Sequence, residues 1–146
     1  AWSGSAGLRN DRRSLSLAHV LPLVGHGADW YSLQKDVPGR DEALLASRPD
    51  LRELGTAFAD FADTAAAVSL LDLVITVDTS VAHVAGALGK PVWILLPHVP
   101  HDWRWFREGE RTPWYPTARL FRQPAPGDWD AVVREVAAAI ARLPAT

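Results

Sequence analysis

The chain has 146 residues, of which 48% are hydrophobic and 22% charged, a composition typical of one globular domain with a substantial core. The net charge is -2 and acidic and basic residues are mixed along the chain, which argues against a nucleic-acid partner held by a basic patch. Cysteine is absent, which excludes disulfides and thiolate metal sites, and no apolar run approaches the ~20 residues of a membrane span. We therefore expect residues 1–146 to form a single domain. We also expect a cytoplasmic location, which the lack of cysteine does not itself indicate. Methionine is also absent, so we expect the chain to be part of a longer product.

The first half of the chain alternates between short strand-like and helix-like segments. Residues 1–2 fit the end of a strand, and a polar, basic loop follows them. The predicted elements up to residue 72 are a helix within 14–24, a strand at 28–35, a short helix at 39–49, a weak strand at 51–54 and a helix at 60–72. Asp60 and Asp63 are the two candidates for the N-cap of the last of these helices.

The second half repeats the alternation with stronger signals. The β-branched run 73–77 predicts a strand covered on both faces, and Gly89 ends a predicted helix at 81–88. A buried strand at 92–96, a long loop at 97–116, an edge-like strand at 118–123 and a helix at 127–143 follow. We expect Asp128 to cap that final helix, whose apolar stripe is Val132, Val133, Val136, Ile140 and Leu143. Strictly alternating strands and helices predict an α/β fold with a doubly wound, Rossmann-like parallel sheet.

The loop after the 73–77 strand is the first candidate site. Asp78, Thr79 and Ser80 lie at the start of a helix, where unpaired N–H groups and the helix dipole favour a phosphate or diphosphate. Helical spacing places Val81, Val84, Ala85 and Leu88 towards the sheet, and puts His83 on the opposite side, beside Ser80. The alternative is that one of the three polar residues is a simple N-cap and that His83 is a surface residue.

Two other loops follow predicted strands, and ligands in such sheets bind beyond the carboxyl ends of the strands. Ser3, Gly4 and Arg13 are candidates in the loop after the first predicted strand, and the Arg13 guanidinium could donate two parallel hydrogen bonds to a diphosphate. A solvated basic loop is the alternative. Gln34 and Lys35 are candidates for a base or ribose contact, and an ordinary Gln-Lys pair at the sheet edge is equally compatible with the sequence.

The loop at 97–116 carries a loose cluster of His98, His101 and Asp102, whose spacing does not predict a metal site. Trp103, Arg104 and Trp105 are better interpreted as a wall of the cleft, with aromatic faces for a sugar or base and Arg104 for phosphate. The alternative for the tryptophans is packing in the core. Trp114 and Tyr115, between two prolines, are interpreted as structural.

The stretch DLVITVDTSVAHVAGALGKPVWILLP at 72–97 resembles the signature of glycosyltransferase family nine, the heptosyltransferase-like enzymes. The stretches WSGS, RRSLSL, SLQK, DFADTAA, DWRW, PWYP and RLFRQ resemble the bacterial subgroup linked to tetratricopeptide repeats. The resemblance implies the C-terminal half of a GT-B enzyme, the half that binds the nucleotide-sugar donor. It also implies that Asp78, Thr79, Ser80 and His83 line the diphosphate and sugar site. Ser80 replaces the glycine that is usual in heptosyltransferases, which argues against heptose as the donor sugar.

The expected reaction is transfer of a sugar from a nucleoside diphosphate to an acceptor that the sequence does not identify. The resemblance implies no metal and no cofactor, and it places the catalytic base in an N-terminal GT-B half, so we expect this chain alone to be inactive. Tetratricopeptide repeats are the other expected neighbour in the same polypeptide. One alternative is a degenerate transferase that serves as a nucleotide-binding or protein-interaction module. Another is a GT-B-like nucleotide-sugar epimerase, which would require catalytic carboxylates in this half.

Overall fold

The structure is a computed structural model that describes residues 1–4, 12–100 and 102–144. Its helices are α1 (Leu17–Val20), α2 (Gly39–Ala46), α3 (Phe61–Leu70), α4 (Ser80–Ala87) and α5 (Trp129–Ile140). Its strands are β1 (Trp30–Ser32), β2 (Leu51–Glu53), β3 (Val74–Val77), β4 (Val92–Leu96) and β5 (Ala118–Arg122). Single 3-10 turns lie at Leu21–Leu23, Gly55–Ala57 and Trp103–Trp105.

The strands form two parallel sheets, so the molecule is a mixed α/β structure as predicted. β1 pairs with β2, and β3, β4 and β5 form the second sheet in that order. Val74 lies opposite Val92, and Leu96 lies opposite Arg122. The prediction that 118–123 is an edge strand is confirmed, since β5 has β4 as its only neighbour among the described strands.

The first residues of the chain join the two sheets. The Val77 N–H donates to the Ala1 carbonyl oxygen at 3.1 Å, so Ala1 runs beside β3 in the manner of a strand end. The Gln34 Oε1 atom then accepts a hydrogen bond from the backbone N–H of Trp2 at 3.0 Å. This segment therefore places the loop after β1 close to the carboxyl end of β3.

The core lies on both faces of the three-stranded sheet because side chains alternate along each strand. On β4, Val92, Ile94 and Leu96 point to one cluster, which also holds α4 and Val68 of α3. Trp93 and Leu95 point to the other cluster, which holds α1 and α5. Helices therefore cover both faces, and the continuous apolar sequence of β4 is buried throughout.

Several predicted elements are shorter in the structure. The helix predicted within 14–24 stops at Val20 and continues as a 3-10 turn, because Pro22 has no N–H to extend the α-helical pattern. The strand predicted at 28–35 pairs only over β1, since its partner β2 is three residues long. The helix α5 ends at Ile140, so Leu143 is 47% exposed and does not extend the buried stripe.

Two predicted caps are confirmed. The Asp60 carboxylate accepts hydrogen bonds from the N–H groups of Ala62 and Asp63 at 2.8 and 3.2 Å, so Asp60 is the N-cap of α3. Asp128 accepts from the Ala131 N–H at 3.1 Å at the start of α5. Both side chains satisfy N–H groups that the helix itself leaves without a partner.

The predicted sheet-facing stripe of α4 needs correction. Its buried residues are Val81, Ala82, Ala85 and Gly86, whereas Leu88 is 47% exposed. Gly86 is buried because the Tyr115 ring packs directly against it. The spacing of apolar residues along the helix could not predict this second packing contact. α4 is therefore buried against the sheet and also against the loop before β5.

No helix within the described ranges is both long enough and apolar enough to cross a membrane.

Candidate functional site

A cleft of about 710 Å³ opens beyond the carboxyl ends of β1 and β3. Parallel strands end at the same edge of the fold, which is why loops distant in sequence meet there. The cleft brings together eleven of the residues that the sequence predicts for the site, and Trp105 is not among them. They are Ser3, Gly4, Arg13, Gln34, Lys35, Asp78, Thr79, Ser80, His83, Trp103 and Arg104.

The first turn of α4 forms one side of the cleft. Thr79 occupies the N-cap position with extended backbone angles, yet its side chain makes no capping hydrogen bond. Its hydroxyl instead lies 3.1 Å from the hydroxyl of Thr76. Ser80 is exposed to the cleft. The first-turn N–H groups are therefore not covered by the Thr79 side chain, unlike those of α3 and α5, which aspartates cap.

Asp78 and Arg13 face each other across the base of the cleft. Asp78 is 4% exposed and follows β3 directly. Its carboxylate lies 4.0 Å from the guanidinium of Arg13, whose side chain is 30% exposed. A buried carboxylate is stabilised by such a partner, so part of the charge of Arg13 is already balanced within the site.

His83 is held on three sides. Its Nδ1 lies 2.9 Å from the Tyr115 hydroxyl. Its ring stacks on Trp105 with centroids 5.2 Å apart and planes 27° apart. Its Nε2 lies 3.7 Å from the Asp102 carboxylate. The alternative interpretation of His83 as a simple surface residue does not hold, because its ring is half-buried between Trp105 and Tyr115.

Asp102 organises the opposite rim. Its carboxylate accepts from the backbone N–H of Arg104 at 2.9 Å, and from the Arg104 guanidinium at 3.1 and 3.2 Å. The same guanidinium lies over the Trp103 ring at 4.6 Å, and Trp103 packs edge-on against Trp114. Trp103 is 61% exposed. Trp103 and Arg104 thus line the cleft as expected.

Trp105 does not line the cleft, which corrects the interpretation of 103–105 as a continuous wall. Its side chain is fully buried, and it packs behind His83 in the core that also contains Ile94 and Leu120. The core-packing alternative therefore holds for this tryptophan.

Gln34 also needs correction. Its Oε1 accepts from the N–H groups of Trp2 and Ser3, and its Nε2 donates to the carbonyl oxygens of Ser3 and Asp36. An amide side chain has two donors and two acceptor sites, and all four are used. Gln34 therefore lines the cleft as a support for residues 2–3 and has no hydrogen bond left for a base or ribose.

The remaining candidates are tied to the backbone to different degrees. The Lys35 ammonium donates to the carbonyl oxygens of Phe58 and Ala59 at 2.6 and 3.3 Å, which leaves one of its three donors. The Ser14 hydroxyl lies 3.3 Å from that of Ser3 and accepts from the Gly4 N–H at 3.2 Å. Ser14 therefore holds Ser3 and Gly4 in position at the cleft.

One group among the described residues could hold a metal ion. Ligand atoms of Asp78, His83 and Asp102 all lie within 4.8 Å of one another. Both carboxylates already face arginines, Arg13 and Arg104, which balance the negative charge that a divalent cation would need. This group shares only Asp102 with the cluster of His98, His101 and Asp102 considered from the sequence. The His98 ring lies within hydrogen-bond distance of the Gln123 carbonyl oxygen, and His101 lies outside the described residues.

Sequence reasoning missed Tyr115 and Asp102 as partners of His83. The available signal was Gly86, three residues after His83, which marks a space on the same side of α4. The sequence did not show that Tyr115, interpreted as structural, fills that space.

The comparisons with known proteins are limited. No family model matches the chain, and no solved structure matches it significantly. Protein FlbA of Caulobacter vibrioides is 36% identical over 83 residues, which are 56% of this chain and 13% of FlbA. The chain therefore spans a small part of that relative, whose name states no activity. Membership of glycosyltransferase family nine stays a prediction.

Proposed function

We propose that this domain is the nucleotide-sugar-binding, C-terminal half of a GT-B glycosyltransferase, with a Rossmann-like fold. The observation that carries the proposal is the start of α4, which opens into the cleft without a side-chain cap and stands beside Arg13 and His83. N–H groups at a helix start, a guanidinium and an imidazole N–H together suit the oxygens of a diphosphate. The sequence resemblance supports the same assignment.

The role of this donor-binding half would be to stabilise the leaving group. As the bond between the sugar and the diphosphate breaks, negative charge grows on the diphosphate oxygens. The helix dipole at Ser80, the Nε2 side of His83 and the Arg13 guanidinium would oppose that charge. The proposal requires no cofactor and no metal. The acceptor hydroxyl would lose its proton to a base in an N-terminal GT-B half, so residues 1–146 alone would bind donor without transferring sugar.

The other cleft residues would contact different parts of the donor. Lys35 would meet the base or ribose through the one donor left after its two carbonyl contacts. Trp103 and Arg104 form the opposite rim, where the exposed indole suits a sugar face. Ser80, in place of glycine, offers the cleft a hydroxyl. Tetratricopeptide repeats in the same polypeptide, a cytoplasmic location and an acceptor of unknown identity belong to the same proposal.

Calorimetric titration with UDP, GDP, ADP and CMP tests the proposal. We expect one of the nucleotides to bind saturably, and the double variant His83→Ala, Arg13→Ala to lose at least ten-fold in affinity, since two charge-assisted contacts are removed at ~1.5–3 kcal/mol each. The matched control is His19→Ala, Arg134→Ala, which removes the same two residue types from a separate shallow depression beside α1 and α5. Equal affinities in the two double variants would refute the site.

A nucleotide-binding module without transferase activity is the second candidate. It is favoured by the ion pairs of Arg104 with Asp102 and of Arg13 with Asp78, which balance the charges of these arginines within the cleft. An activity assay on the full-length protein distinguishes the two candidates. Release of nucleoside diphosphate from the sugar donor that binds, dependent on His83, supports the transferase, whereas saturable binding without turnover supports the module.

A further inference from the structure

Tyr115 lies outside the predicted site and contacts the His83 ring in two ways. Its hydroxyl lies 2.9 Å from Nδ1, and its ring meets the imidazole edge-on at 5.7 Å. Tyr115 is itself fixed, because a Cβ added at Gly86 would overlap its ring. Trp105 stacks on one face of the imidazole. His83 therefore has one ring orientation, with Nδ1 towards the protein and Nε2 towards Asp102 and the cleft.

The surroundings of the ring also indicate where its proton lies. Nε2 is 3.7 Å from the Asp102 carboxylate oxygen. A nitrogen lone pair facing a carboxylate is repelled, whereas an N–H facing it is attracted. This contact favours the tautomer with the proton on Nε2, in which Nδ1 of the neutral ring accepts a hydrogen bond from the Tyr115 hydroxyl. In the charged ring Nδ1 would donate to the Tyr115 oxygen instead, and the Nε2–H would be unchanged.

We propose that Tyr115 is a positioning residue, which holds His83 so that its Nε2–H is presented to an anionic oxygen in the cleft. Asp102 faces that N–H in the structure, and a bound anion would take its place. The inference rests on the proposed function insofar as the anion is a diphosphate. A metal at the same place would need the opposite arrangement, with a bare Nε2 as ligand and an Nδ1–H donated to Tyr115.

Nitrogen-15 NMR of the histidine ring tests the inference in the free protein. In alkaline solution we expect a protonated Nε2 and a bare, hydrogen-bonded Nδ1, with the signals assigned by their loss in His83→Asn. In Tyr115→Phe the Nδ1 signal should move to that of a nitrogen without a donor. The same variant should bind the nucleoside diphosphate about two- to ten-fold more weakly, as expected for one hydrogen bond.

The control is Tyr31→Phe, at the other tyrosine of the chain. The Tyr31 hydroxyl accepts from Arg52 and does not line the cleft, so its loss should leave both readouts unchanged. A protonated Nδ1 with a bare Nε2 in the wild type would overturn the inference, and would favour the metal arrangement. An Nδ1 signal or an affinity in Tyr115→Phe equal to that of the wild type would overturn it as well.

The two proposals fail separately. If no nucleotide binds the wild type, the proposed function fails, while the ring signals still decide the role of Tyr115. If Tyr115→Phe does not fold, the wild-type spectrum alone decides which nitrogen carries the proton.

Discussion

At the scale of single residues, the site is a set of opposed charges more than a basic pocket. Arg13, Lys35 and Arg104 line the cleft together with Asp36, Asp78 and Asp102. The two nearest pairs are Asp78 with Arg13 and Asp102 with Arg104. An anionic ligand must therefore compete with carboxylates for its cations, and that competition can be measured.

Asp102→Asn should strengthen binding of the nucleoside diphosphate by up to about five-fold. The substitution removes the charge that faces His83 and Arg104, and a partly exposed ion pair contributes ~0.2–1 kcal/mol. Asparagine keeps a side-chain oxygen that can accept from the Arg104 N–H, so the turn at Trp103–Trp105 should persist. Calorimetry at low and high salt measures the effect, which should shrink with salt. Weaker binding by Asp102→Asn would show that Asp102 contacts the ligand itself.

At the scale of elements, the helices differ in whether a side chain caps their first turn. Asp60 caps α3 with two hydrogen bonds and Asp128 caps α5 with one, whereas Thr79 makes no cap for α4. Helix starts are normally capped because their first N–H groups lack partners. The helices α1 and α2 also lack a side-chain cap, but α4 is the uncapped helix whose first turn lines the cleft, where a ligand would supply those partners.

Asp60→Ala and Asp128→Ala should each lower the free energy of unfolding by about 1 kcal/mol. Thr79→Ala should lower it by about 0.5 kcal/mol or less, since Thr76 keeps its hydrogen bond to the Val77 carbonyl oxygen. Urea denaturation of the three variants measures the difference. A loss for Thr79→Ala equal to that of the two aspartates would mean that Thr79 caps α4 in solution.

The packing of α4 against Tyr115 gives a second prediction at this scale. Gly86→Ala should destabilise the fold by about 1–2 kcal/mol, although alanine favours helices, because the added methyl group must displace the Tyr115 ring. Gly39→Ala is the matched control, as Gly39 begins α2 with open space around it. It should be neutral or slightly stabilising. If both variants had the same denaturation midpoint, the contact between Gly86 and Tyr115 would be refuted.

At the scale of the whole molecule, ligand binding and folding are linked. A nucleoside diphosphate at ten times its dissociation constant should raise the free energy of unfolding by about 1.4 kcal/mol and the melting temperature by about 3–6 °C. The double variant His83→Ala, Arg13→Ala should lose the shift, and His19→Ala, Arg134→Ala should keep it. A shift of equal size in both would place the ligand outside the cleft.

The alternation of helices and strands could be predicted from the sequence where the pattern is strong, as in the continuous apolar run of β4 and the apolar stripe of α5. Strand β4 lies at 92–96 as predicted. Contacts between distant loops were not readable. Nothing local showed that Gln34 would bind the backbone of residues 2–3, or that Tyr115 would meet His83 across 32 positions. The predicted site residues converge because parallel strands end at one edge, whereas their hydrogen bonds depend on the packed fold.

Backbone amide chemical-shift mapping during titration with the nucleotide that binds tests most simply whether the ligand lies at the start of α4. We expect the largest shifts at Ser80 and Val81, in the uncapped first turn of α4, together with Gly4 and Arg13. Shifts confined to the depression beside α1 and α5, or no shifts at saturating nucleotide, would contradict this expectation.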